Sequence, residues 1–200
     1  MKFDILEYDK LGDIVLNLIF GAKSAAKEIL NPFRALFAED MAVWFLKPFK
    51  QTSVQEFANV MNSNFFNVAN FLHNCIDKFS DNSSVVFFSS IAASRGFKNH
   101  TAISSAKSAL KGLSISLAAD FAPKIRFNTI SPSLSYSKMS NFITSNEKVA
   151  EGLGKLHPMS RLGNGDDIAE LAVFLISNQS SWITGQNFNV DGGRSTLFTK

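Results

Sequence analysis

The chain has 200 residues, of which 46% are hydrophobic and 18% are charged, enough to bury one sizeable core, so we predict a single domain over residues 1–200. The net charge of +3 is spread along the chain, which excludes a basic nucleic-acid-binding stripe. The one cysteine, Cys75, excludes an internal disulfide and a multi-thiolate metal site, so no metal centre is expected and a reducing compartment is predicted.

The N-terminal segment has acidic residues within its first seven positions and is unlike a secretory signal peptide. The apolar stretch Ile14–Phe20 is interrupted by Asn17 and is far shorter than the roughly 20 residues that a membrane span requires. These features predict a cytoplasmic protein with no membrane partner.

Strand-like and helix-like segments alternate along the chain. In chain order we predict a strand at Phe3–Tyr8, a helix at Asp13–Leu30, a strand at Arg34–Ala38, a helix at Ser53–Phe79, a strand at Ser84–Phe88, a helix at Ala102–Phe121, a strand at Ile125–Ile130, a helix at Asp166–Ile176 and a strand at Asn187–Val190. This alternation predicts an α/β fold with a Rossmann-like, doubly wound parallel sheet, because parallel strands require long crossovers. Ligands in such sheets bind beyond the carboxyl ends of the strands, here after Phe88 and Ile130.

Several motifs in fixed order carry a family resemblance. They are Val85–Ala92, Ser104–Leu110, Ile125–Pro132, Pro158–Gly163, Asp167–Ala169, Ile183–Gln186 and Val190–Gly193. From about Ala35 to Leu197 the chain resembles the short-chain dehydrogenase/reductase family, especially the branch that contains β-ketoacyl carrier-protein reductases. Residues 1–43 are the divergent part and residues 44–200 the family-like part.

The resemblance implies a set of functional residues. It assigns catalytic roles to Ser90, Lys107 and Asn64, and cofactor contacts to Lys107, Pro132 and Ser137, with NAD or NADP as the cofactor. The family's catalytic tyrosine lies four residues before the lysine, and that position is Ile103 here. Isoleucine has no titratable proton to give to a substrate.

Two other residues are weaker candidates for the missing acid. His100 lies one turn before the isoleucine and titrates near neutral pH, although a lone histidine in a polar loop is more often a surface residue. Tyr136 lies in the segment after Pro132, where Ser133 replaces the family's usual glycine.

The family's N-terminal glycine-rich turn, TGxxxGxG, which holds the cofactor pyrophosphate, has no match in this sequence, so the sheet is expected to be N-terminally shortened. Two registers remain open. Phe3–Asp9 is the third strand of the family and Leu36–Met41 the fourth strand with its following turn, or else Ile14–Leu30 is an altered first strand and helix. In the first register, Glu39 and Asp40 lie where the family brings backbone close to the cofactor.

Two functions follow from the resemblance. The first is an NAD(P)-dependent oxidoreductase of carbonyl or 3-oxoacyl substrates, inactive or strongly impaired because the tyrosine is missing. The second is a non-catalytic relative that acts as an oligomerisation or interaction module. The helices Ser53–Phe79 and Ala102–Phe121 are those through which family members pair, so a homodimer or homotetramer is expected. The substrate-shaping loop, Ser137–His157, contains no diagnostic residue.

Overall fold

The computed structural model describes residues 35–38, 46–137 and 139–199, the first of these segments by its backbone alone. The strand predicted at Phe3–Tyr8 and the helix predicted at Asp13–Leu30 lie outside the described residues. The choice between the two N-terminal registers, which depends on them, therefore stays open.

The described strands form one parallel sheet in sequence order: β1 (Ala35–Ala38), β2 (Ser83–Phe88), β3 (Ile125–Pro132) and β4 (Asn187–Val190). Ala35 pairs with Ser84, Val85 with Phe127 and Ile130 with Phe188. The prediction that Arg34–Ala38 lies parallel to Ser84–Phe88 is confirmed over Ala35–Ala38. Strand β3 continues two residues beyond its predicted end, because Ser131 and Pro132 still pair with Asn189 and Val190.

The helical segment after β1 begins at a capping box. The Ser53 hydroxyl accepts from the Glu56 N–H, and the Glu56 carboxylate accepts from the Ser53 N–H. The segment comprises α1 (Val54–Met61), a π-helical turn (Asn62–Phe66), α2 (Asn67–Cys75) and a 3₁₀ turn (Ile76–Lys78). The predicted helix is thus confirmed in extent, but the prediction missed the π-turn, which a hydrophobic period does not reveal.

Helices cover both faces of the sheet, as predicted for a doubly wound fold. On one face, α2 and α3 (Thr101–Phe121) pack against Val85, Phe87 and Phe127. On the other, α6 (Gly165–Ile176) packs against Val86, Phe88 and Ile130. Because consecutive side chains of a strand point to opposite faces, the continuous apolar run of β2 serves both cores.

The segment between Ser137 and His157, predicted as a loop, contains two short helices. These are α4 (Asn141–Thr144) and α5 (Glu147–Gly154), the second started by the Asn146 side chain, which accepts from the Val149 N–H. Helices this short have too few turns to show a reliable apolar period, so the sequence prediction missed them.

The described helices include none that is long and apolar enough to cross a bilayer.

Candidate functional site

The carboxyl end of β2 is tied to α3 by two hydrogen bonds that meet at Lys107. The Ser89 hydroxyl donates to the Lys107 carbonyl at 2.8 Å, and Lys107 Nζ donates to the Phe88 carbonyl at 3.1 Å. Lys107 is only 7% exposed. The structure therefore places the predicted lysine directly at the strand end that carries the predicted serine.

Ser90 follows this strand end and is partly exposed. Its hydroxyl oxygen accepts from the Ala92 N–H at 3.1 Å and so caps the short 3₁₀ turn Ile91–Ala93. The hydroxyl proton is not used in that bond, because the oxygen is the acceptor. Ser90 therefore keeps a donor that can point at a substrate oxygen.

Asn64 lies in the π-turn and is fully buried. Its amide nitrogen donates to the Val60 carbonyl at 3.1 Å, whereas its amide oxygen is buried without a hydrogen-bond partner. A buried acceptor of this kind commonly binds an ordered water or a ligand donor. The π-turn packs against α3, the helix that carries Lys107.

Ile103, which occupies the position of the family's tyrosine, is 4% exposed. It belongs to an apolar cluster with Val60, Ala102 and Ala106, against which Phe57 and Met61 also pack. The side chain is one helical turn before Lys107 on the same face of α3. The position that should supply a proton is filled by a hydrocarbon that contributes to packing.

The two weaker candidates for the acid are His100 and Tyr136. His100 occupies the N-cap position of α3 without a side-chain capping bond, and its Nδ1 is 2.8 Å from the Lys98 carbonyl while its ring is 5.4 Å from that of Phe97. Tyr136 is 52% exposed, and its backbone N–H donates to the Gly163 carbonyl. These contacts supply no geometric support for a catalytic role of either ring.

Pro132 and Ser137 lie at the carboxyl end of β3. Pro132 is the last residue of the strand and pairs with Val190. Ser137 is exposed, and its hydroxyl donates to Ser140 Oγ and accepts from the Ser140 N–H, each at 3.1 Å. The hydroxyl therefore closes a turn within its own loop, and a cofactor contact would require it to release at least one of these bonds.

A pair that the sequence prediction missed lies in the same region. Ser133 Oγ is 2.8 Å from Nε2 of His157, whose Nδ1 is 3.0 Å from the Leu153 carbonyl. Burial lowers the pKa of His157, with Arg194 acting in the same direction, while the Leu153 and Gly154 backbone contacts and Asp191 oppose the shift. The sequence signal was the serine in place of glycine, but its partner is 24 residues away, on a segment predicted as loop.

Among the described residues, no cluster of His, Cys, Asp and Glu side chains could hold a metal ion. The three residues predicted to contact a nicotinamide cofactor lie near the carboxyl ends of β2 and β3. Lys107 is on the helix bound to the end of β2, Pro132 ends β3, and Ser137 is in the loop that follows β3.

A sequence model described as enoyl-(acyl carrier protein) reductase matches residues 35–195. The chain belongs to the short-chain dehydrogenase/reductase family. It is 40% identical over 114 residues to a short-chain dehydrogenase/reductase of Arabidopsis thaliana, covering 56% of this chain and 44% of that protein. It is 36% identical over 134 residues to a 3-oxoacyl-[acyl-carrier-protein] reductase of Buchnera aphidicola, covering 66% of this chain and 53% of the relative.

The chain thus spans about half the length of these curated relatives. The fold is also that of a crystal structure of a short-chain dehydrogenase/reductase from Brucella melitensis, with a TM-score of 0.77 and 24% identity over 98% of this chain and 76% of that one. The predicted resemblance and fold are confirmed.

Proposed function

We propose that this short-chain dehydrogenase/reductase is an NAD(P)-dependent oxidoreductase of carbonyl or 3-oxoacyl substrates whose reduction step is strongly impaired. The observation that carries the proposal is the burial of Ile103 among Val60, Ala102 and Ala106, beside the retained Lys107. A nicotinamide cofactor supplies hydride when bound. The proton that must reach the substrate oxygen in the same reaction has no donor at this position.

The retained residues support binding and orientation of a carbonyl group. Ser90 has a free hydroxyl proton with which to hold the carbonyl oxygen, and the Lys107 ammonium adds a fixed positive charge at the strand end. The buried Asn64 oxygen is an acceptor for a water molecule. Each of these roles prepares a substrate for reduction, but the loss of a positioned acid reduces the rate by about 10² to 10⁴.

Binding of NADH and NADPH to the purified chain tests the cofactor half of the proposal. A ligand that binds the native state raises the melting temperature by mass action, so we expect a saturable rise with at least one dinucleotide at millimolar concentration. Ser137→Ala should reduce the rise. The matched control is Ser181→Ala, an exposed serine in the turn that follows α6 and precedes β4. Equal melting temperatures with and without both dinucleotides would favour the interaction module.

The interaction module remains a second candidate because apolar side chains are exposed on the helices of one face. Val54 and Phe66 are 89% and 53% exposed, and Ile115 of α3 is 58% exposed. Apolar surface of this kind is commonly covered by association. We propose a homodimer or homotetramer that buries these helices.

The mass of the chain in solution tests the association. We expect a dimer or tetramer by light scattering, and a smaller species for Ile115→Glu because a charge in a buried interface is costly. Trp182→Glu is the matched control, since Trp182 is exposed outside these helices. A monomeric unmodified chain would refute the proposed assembly.

A further inference from the structure

The hydrogen bonds of His157 define its neutral tautomer. A backbone carbonyl can only accept, so Nδ1, 3.0 Å from the Leu153 oxygen, carries the ring proton. Nε2 then has the lone pair and accepts the Ser133 hydroxyl proton across 2.8 Å. Since burial lowers the pKa of this ring, the neutral form is favoured at neutral pH. Serine, base and orienting carbonyl form a continuous chain of hydrogen bonds.

Neighbouring segments hold Ser133 and His157 in place. The Ser133 N–H donates to the Val190 carbonyl at 3.1 Å, and the Ser135 hydroxyl donates to the Ser133 carbonyl at 3.0 Å. Behind the histidine, the turn after β4 approaches so closely that a Cβ at Gly192 would lie 3.6 Å from the His157 Cβ. The pair is therefore fixed by the end of the sheet.

The two partners differ in access to solvent. His157 is 4% exposed, whereas Ser133 is partly exposed at the carboxyl end of β3, where ligands of doubly wound sheets bind. A buried base within hydrogen-bond distance of the hydroxyl of a partly exposed serine, with the base oriented by a third group, is the arrangement that activates a serine nucleophile.

We propose that Ser133 and His157 form a nucleophile–base pair that accepts an acyl group from activated esters and thioesters. Ser133 Oγ attacks the acyl carbonyl carbon while its proton moves to His157 Nε2. The bond from that carbon to the leaving oxygen or sulfur breaks, and the proton passes to the leaving group, which leaves an ester on Ser133. Water attacks that ester with the same base and releases the acid. No oxidant or cofactor takes part, so this activity is independent of the proposed reductase.

Acetylation by p-nitrophenyl acetate and by an acetyl thioester, followed by intact mass and peptide mapping, tests the proposal. We expect one acetyl group on Ser133 and release of p-nitrophenol. Ser133→Gly should abolish both, and His157→Gln should slow acylation by about 10²-fold or more, since it removes the general base. Ser145→Ala, at an exposed serine between α4 and α5, is the matched control and should react like the unmodified chain.

Melting curves of all three variants show whether a loss of labelling reflects unfolding. The Ser133→Gly variant carries the residue that is usual in the family at this position, and its fold is expected to persist. Acetyl groups on lysines alone, or labelling of Ser133 at the same rate in folded His157→Gln, would overturn the proposal. So would a folded, unmodified chain that remains unlabelled and releases p-nitrophenol no faster than Ser133→Gly.

Discussion

Two regions at the carboxyl ends of the strands differ in how their polar side chains are bonded. In the β2 region, comprising Asn64, Ser90, Ile103 and Lys107, the retained polar groups bond to backbone atoms. In the β3 region, comprising Ser133 and His157, two side chains bond to each other. Polar residues that bond to backbone atoms have a structural role even when no reaction takes place. The position of the family's tyrosine is surrounded by apolar groups, so an isoleucine there leaves no hydrogen bond unmade.

Substitutions in the core that supports both regions should lower the free energy of unfolding far more than substitutions on the surface. Phe127 of β3 is fully buried and stacks with Phe87 at 6.2 Å. We expect Phe127→Ala to lower the free energy of unfolding by about 3–5 kcal/mol, measured in urea. Trp182→Ala, at a side chain that is 98% exposed, should change it by less than about 0.5 kcal/mol. Similar losses for the two variants would contradict the assignment of the core.

Restoring the family's tyrosine tests whether the β2 region is now adapted to isoleucine. Ile103→Tyr adds volume and a hydroxyl to a closed apolar cluster, so we expect a loss of about 1–3 kcal/mol in urea unfolding. Reduction of acetoacetyl thioesters should not appear with this change alone. Ile103→Val, which is smaller and apolar, should cost only about 0.5–1.5 kcal/mol. An Ile103→Tyr variant as stable as the unmodified chain would show that the cluster has room for a tyrosine and would contradict this prediction.

Near the β3 region, Arg161 and Asp167 join the loop to the start of α6. The Arg161 hydrogen bond lowers the pKa of Asp167 to about 2, and the Asn164 backbone N–H acts in the same direction. Because the folded-state pKa is below the unfolded value of 3.8, this stabilisation is present above pH 4 and is lost as pH falls towards 2.

The pair is partly exposed, so its contribution is modest. Asp167→Asn should lower stability by up to about 1 kcal/mol at pH 7, because the uncharged amide loses the ion pair with Arg161 but can still accept the Asn164 N–H. Melting temperatures of the two chains should converge near pH 2. Asp166→Asn is the control, because Asp166 lies beside it in the same first turn without the capping role. A constant difference from pH 7 to pH 2 would contradict the ion-pair account.

The smallest effect concerns the pH dependence of the β3 region. The pKa of His157 is lowered below 6.5 in the folded state, so the unfolded chain binds its proton first as pH falls. Stability contributed by neutral His157 is therefore present above about pH 6.5 and declines below it. His157→Gln should flatten the melting temperature between pH 8 and 5. An unchanged dependence of the melting temperature on pH would show that the ring is equally protonated in the folded and unfolded states.

Sequence patterns predicted the described strands and the long helices. Strand β2 is a short, continuous apolar run, and α6 begins at a clear capping sequence. The resemblance assigned roles to Ser90, Lys107 and Asn64, which stay predictions, and the structure places the first two at the same strand end. The short helix α5 was missed because two turns are too few to show a reliable apolar period, and the π-turn was missed because such a period does not distinguish it from an α-helix. The Ser133–His157 contact was also missed because residues so far apart meet only through tertiary packing.

The most direct test of the central claim is steady-state oxidation of NADH and NADPH by the purified chain with acetoacetyl thioesters and simple ketones. The unmodified chain, Ser90→Ala and Lys107→Met are compared at equal concentration with a protein-free blank. Because Ile103 offers no proton, the account predicts that the unmodified chain and both variants match the blank. Steady, protein-dependent turnover that disappears in folded Ser90→Ala would contradict it and would identify a working reductase with another proton donor.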